Sequence, residues 1–233
     1  MIAGVLVGCV LVLIFCSKAP SLFAARAVAM LALGVSIGGS MTYGQTLGLT
    51  QNADMIGNFE ALRWGLLGVF VKGAIWIGLA ATFFAMALSS TNYRPVEIAL
   101  LLLVMLFLQA AGNSMFNEPF DPANRELPQI YFSADWYWTP DAEFKPRPER
   151  WGGLLVALAG LYLYAGWMRG DRLVRWLSLW GVLAGGLGFT LGQCVQAYHA
   201  WNAEMIRNSW LSQLEPHINW WNMMEITFGS VFG

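Results

Sequence analysis

PVEIALLLLVMLFLQAAGN, residues 95–113, holds a single charged side chain, Glu97. An apolar run of this length fits the roughly 17–25 residues that a helix needs to cross a hydrocarbon layer. Working outward from it, comparable segments lie near 2–17, 21–45, 62–89, 151–168, 173–198 and 218–233. Composition agrees. The 233 residues are 57% hydrophobic and 12% charged, against roughly 25% charged in an ordinary soluble domain. A single soluble core could not hide that much apolar surface. The expected fold is all-α: a polytopic transmembrane bundle of about seven helices, with the lipid bilayer as its solvent.

Residues 1–16 are apolar, but no basic n-region precedes them and more apolar sequence follows. This reads as a first membrane helix and not as a signal peptide. Cys9, Cys16 and Cys194 offer no disulfide framework and no metal-binding pair. A net charge of −1 without basic runs gives no footprint for nucleic acid.

A duplication organises the chain. Thr42-Tyr43-Gly44-Gln45 returns as Thr190-Leu191-Gly192-Gln193, and Asn52-Ala53-Asp54-Met55-Ile56-Gly57-Asn58 returns as Asn202-Ala203-Glu204-Met205-Ile206-Arg207-Asn208. Eight of these eleven positions are identical, which marks an internal repeat. Helices 1–3 then correspond to 5–7, in parallel orientation about an axis along the membrane normal. The domain expectation is 1–113 for the first repeat plus helix 4, 114–150 for a loop, and 151–233 for the second repeat. About 14 residues follow Trp220, roughly 21 Å of helix, so the last helix is expected to be incomplete or to continue into an eighth. Gly34-x-x-x-Gly38, Gly181-x-x-x-Gly185 and Gly188-x-x-x-Gly192 mark close helix packing, and helices 2 and 6 are expected to meet near the axis.

The short connections carry Lys18, Arg26, Arg94, Arg169, Arg172 and Arg175 on one side. By the positive-inside bias that side is cytoplasmic. The expected location is the cell membrane, with the N-terminus and the loop 114–150 extracytoplasmic. That loop has seven acidic residues, four basic ones and six prolines. Its aromatic run Tyr131-Phe132-Ser133-Ala134-Asp135-Trp136-Tyr137-Trp138 reads either as an interfacial belt or as a stacking surface for a sugar or other flat ligand.

Lys72 lies nine residues beyond Arg63, so roughly 13 Å deeper along its helix. A charge there requires protein or water around it. Glu225, about one turn from the equivalent depth, is the expected partner. Gln45 and Gln193, each following a glycine, are expected to close one polar cluster with the pair, or else to end their helices. Tyr43 and the inward polar residue Asn222 complete the candidate ligand-binding set. His199 and His217 lie near Glu204 and Glu215, but in no recognised zinc spacing, so no metal and no cofactor is expected.

No familiar catalytic fingerprint is present. The order Gly38-Gly39-Ser40-Met41-Thr42-Tyr43-Gly44, then Gly57-Asn58-Phe59, resembles prolipoprotein diacylglyceryl transferase motifs in residue type only. The spacing differs and the histidine pattern is absent, so no residue role is carried over. Two classes stay open: a transporter or channel-like protein for a small polar solute, and a membrane-embedded enzyme acting on a lipid-linked or glycan substrate at the outer leaflet. An assembly or scaffold subunit is the blander third.

Overall fold

In the computed structural model, which describes residues 2–140 and 145–232, helices begin where small polar side chains can cap them. Asn58 accepts from the backbone N–H of Glu60 and Ala61 at 3.1 and 3.0 Å, opening α4 (Phe59–Leu88). Asp171 does the same for Leu173 and Val174 at 3.0 and 3.2 Å, opening α7 (Arg172–Trp201). Each cap satisfies two donors that the first helical turn leaves without partners. Pro95 at the first helical position starts α5 (Pro95–Phe116).

The remaining helices are α1 (Ile2–Phe15), α2 (Ser21–Gly38), α3 (Gly44–Gln51), α6 (Trp151–Tyr162), the short α8 (Ala203–Arg207) and α9 (Trp220–Phe232). A π-helical turn, Leu163–Met168, extends α6. The described residues form helices joined by loops and no named strand, with one isolated bridge between Asp121 and Glu126. Among the described residues, five helices are long and apolar enough to cross a membrane: α2, α4, α5, α6 with its extension, and α7. The fold is therefore all-α with five such helices. α1 and α9, with 14 and 13 residues, are shorter than the expected spans.

Helices α1, α2, α4, α7 and α9 pack each against the next as an arc with α4 at its centre, and α6 and then α5 lie behind α4. Burial follows this order. Within the most apolar stretch of each helix, 67% of α4 is buried but only 11% of α5, so α5 presents its leucines outward.

Contact between helices in lipid depends on close backbone approach, because moving apolar side chains from lipid to protein gains little. A methyl added at Gly73 of α4 would lie 2.4 Å from the Gly185 carbonyl oxygen of α7, and one at Gly185 would lie 2.3 Å from the Gly73 oxygen. Gly34 and Gly38 of α2 lie against Ala80 and Trp76 of α4, and Gly188 and Gly192 of α7 against Phe228 and Met224 of α9. The expected meeting of helices 2 and 6 is thus corrected. Both glycine stripes work, but α4 stands between them.

The expected segment 21–45 also breaks. Gly38 and Gly39 are poor helix formers, and Trp76 occupies the space that a side chain at Gly38 would need. The chain leaves α2 there and restarts as α3, with Gln45 in its first turn. Gln193 instead sits inside the unbroken α7, so neither glutamine ends its helix, and the two copies of the motif differ locally. Asn208, unlike Asn58, does not cap the next long helix; Asn219 does this for α9, accepting from Trp221 and Asn222 at 3.0 and 3.2 Å.

The helix ends define two faces of the bundle. At the turn end, Tyr93 donates to Asp171 at 2.8 Å, while Arg169 pairs with Glu97 at 3.0 Å and donates to the Asn92 carbonyl at 2.9 Å. These contacts tie the α4–α5 turn to the α6–α7 turn. At the opposite, loop end, Ser133, Ala134, Lys145 and Arg147 of the long loop lie hydrogen-bonded against α3.

Candidate functional site

Two features draw on the expected site residues: a closed polar network around Lys72 and an open apolar cleft. Lys72 is 1% exposed. Its ammonium has three hydrogens and meets three acceptors: Glu149 Oε1 at 2.5 Å, Thr46 Oγ1 at 2.6 Å and the Thr42 carbonyl at 2.8 Å. Glu149 also accepts from Ser133 Oγ at 2.8 Å and from the Phe132 N–H at 2.9 Å. Every strong donor and acceptor of the ion pair is therefore occupied, the condition under which a buried pair is tolerated. This corrects the expected pairing with Glu225. The partner comes from the end of the long loop, because residues 145–149 run along the start of α3. Gln45 fixes them there, donating to the Lys145 carbonyl at 3.1 Å and accepting from the Arg147 N–H at 3.2 Å.

Gln193 does not join this cluster. It is fully buried and donates to Thr50 Oγ1 at 2.6 Å and to Gln51 Oε1 at 3.3 Å. Thr46 and Thr50 are one turn apart on α3, so this short helix serves two separate networks. Asn222 is exposed on α9 and not turned inward.

The cleft lies on the concave side of the arc. About 560 Å³ in volume, it is walled by α1 and α2 on one side, α7 and α9 on the other, and α4 at the back. Its lining is almost entirely apolar. Trp76, Phe189 and Phe228 form the upper wall, the last two stacked at 4.8 Å. The polar exceptions, Tyr43 and Glu225, share its rim. Tyr43 packs against Trp76, Phe189 and Trp221 at centroid distances of 6.1, 5.6 and 6.5 Å. Glu225 is exposed and accepts from Trp221 Nε1 at 2.8 Å. Of the six candidates the structure thus brings Tyr43 and Glu225 to one cavity. It assigns Lys72, Gln45 and Gln193 to internal bonds and leaves Asn222 outside.

His199 Nε2 lies 2.9 Å from Glu215 Oε1, and its ring stacks on Trp220 at 4.3 Å. Among the described residues no group of three or more His, Cys, Asp or Glu side chains is arranged to hold a metal.

Sequence reasoning missed Glu149 and the aromatic cleft wall. The available signal for Glu149 was an acid two residues ahead of an apolar run, at Glu149-Arg150-Trp151. The cleft left no signal, because its lining residues look like any buried helix face.

The chain matches no protein-family model, no curated protein and no solved structure.

Proposed function

We propose that this is a multi-pass membrane protein that binds a lipid or lipid-linked amphiphile in the cleft, with the loop end extracytoplasmic. The observation that carries the reading is a tall apolar cavity with one carboxylate and one phenol at its rim. Its α7 wall runs from Leu177 to Phe189, a rise of about 18 Å, and its volume falls in the usual range of roughly 300–1,000 Å³ for ligand sites. An acyl or isoprenoid chain suits such walls, and Glu225 and Tyr43 can hydrogen-bond a hydroxyl or ammonium of the headgroup. The polar-solute transporter has less support, since the buried charges that would mark its path, Lys72 and Glu149, are bonded to each other and to neighbouring protein groups.

Two repeats of helices 1–3 and 5–7, seven spans in all, remain part of the proposal. In its favour, the α2 glycines pack on α4 as Gly188 and Gly192 of α7 pack on α9.

Gly229 lines the cleft and has nothing within 4 Å of a Cβ built on it, so Gly229→Trp should fill the cavity without forcing the helices apart. Native mass spectrometry of protein released from nanodiscs should show a retained lipid on the wild type and a loss of that adduct in Gly229→Trp. The same adduct on both proteins would refute the reading.

A further inference from the structure

A second cavity, of about 440 Å³, opens at the loop end between the start of α4 and the loop. It is separate from the cleft and stands independently of it. Unlike the cleft, it is lined by planar, fork-ended polar side chains, Glu60, Arg63, Gln129 and Asp135, beside Trp64, Tyr131, Tyr137 and Trp138. The carboxylates can accept from neighbouring hydroxyls, the guanidinium can donate to them, and the amide can do both. The rings offer faces to an apolar underside. A pyranose ring has this dual character, with equatorial hydroxyls at its edge and C–H groups on its faces.

The walls are fixed in advance. Trp64 Nε1 donates to the Tyr131 carbonyl at 2.8 Å, and the Tyr131 hydroxyl is held by the Arg147 backbone at 3.0 Å. Tyr137 joins both acids: its N–H donates to Asp135 Oδ1 at 2.9 Å and its hydroxyl to Glu60 Oε1 at 3.2 Å. Tyr137 also packs edge-on against Trp138 at 4.7 Å. Such preorganisation lowers the entropy lost when a ligand binds. Arg63 is exposed and, among the described residues, makes no ion pair. An interfacial belt accounts for aromatic side chains at this depth, but not for four charged or amide groups converging on one cavity.

We propose that this pocket binds a glycosyl unit through its hydroxyls and one ring face. The test is saturation-transfer NMR on the full chain in phospholipid nanodiscs, which contain no sugar detergent. The probes are methyl glycosides of glucose, galactose and N-acetylglucosamine, with choline as the cationic comparison. Saturation should reach the ring protons of at least one glycoside and vanish in Trp138→Ala. In the Glu60→Gln/Asp135→Asn double variant the dissociation constant should rise at least about tenfold, as expected for lost hydrogen bonds to charged groups. If Trp138→Ala fails to keep the wild-type melting midpoint, the carboxylate variant carries the test alone. Saturation of no glycoside, saturation that survives either folded variant unchanged, or saturation of choline only would overturn the proposal.

Discussion

Lys72 shows how far a single residue can be read. Its depth in an apolar helix demands protein groups or water around the charge and not lipid, and that much follows from position alone. Which carboxylate serves cannot follow, because Glu149 reaches it only through a loop that folds back across α3. With side chains 2% and 0% exposed, removing one partner strands a buried charge. Lys72→Met should therefore lower unfolding free energy by about 3–5 kcal/mol, while Lys72→Met with Glu149→Leu should return most of it. Denaturant titration in detergent measures both; a double variant as weak as the single one would mean the network does more than satisfy its own charges. Asp171 makes a second residue-level case. Burial alone pushes its carboxyl up, but hydrogen bonds from Ser89, Tyr93 and the amides of Val174 and Leu173 outweigh it and hold the group below the ordinary carboxylate range. A folded-state value lower than the unfolded one contributes stability above about pH 3.9 that is lost as pH falls through the folded value. Below about pH 4 the melting midpoint of the wild type should thus fall more steeply than that of Asp171→Asn.

Among the elements, the long helices were legible and the short one was not. Runs such as 95–113 have no alternative reading at their length, and the glycine spacings correctly mark where backbones touch. The partner of each stripe was hidden, because small residues specify closeness without specifying to what. α3 was hidden for a related reason. Its eight residues continue an apolar segment, and the buried Thr46 and Thr50 become intelligible only once the loop and α7 supply their partners. The glycine contacts give a graded test. Gly185→Ile should drive α4 and α7 apart, since even a methyl there lies 2.3 Å from a carbonyl oxygen; overpacking of this kind costs about 1–3 kcal/mol or more. Gly44→Ala, with nothing within 4 Å, should be neutral or stabilising by up to about 1 kcal/mol. Melting midpoints that fall equally in both variants would remove α4–α7 contact as the organising interface.

At the scale of the whole molecule, the two ends differ in chemistry as well as in shape. The turn end is short, rich in arginine and stapled by Tyr93–Asp171 and Arg169–Glu97. The loop end carries the aromatic pocket, the rim of the cleft and the long proline-rich excursion. Arginine and lysine in short connections resist translocation, so the turn end should face the cytoplasm. If so, the aromatic pocket and the Tyr43–Glu225 end of the cleft lie on the outer-leaflet side, where an amphiphile would offer its chain to the cleft and its headgroup to the polar pair. Cysteine labelling decides the orientation without touching either cavity. With Cys9, Cys16 and Cys194 replaced by alanine, single cysteines go at Ala123 in the loop and at Ser90 in the α4–α5 turn, both exposed. A membrane-impermeant maleimide added to intact cells should modify position 123 and reach position 90 only after permeabilisation. Modification of position 90 first would invert the molecule, turning the aromatic pocket toward the cytoplasm and removing any glycan of the outer surface from consideration as its ligand.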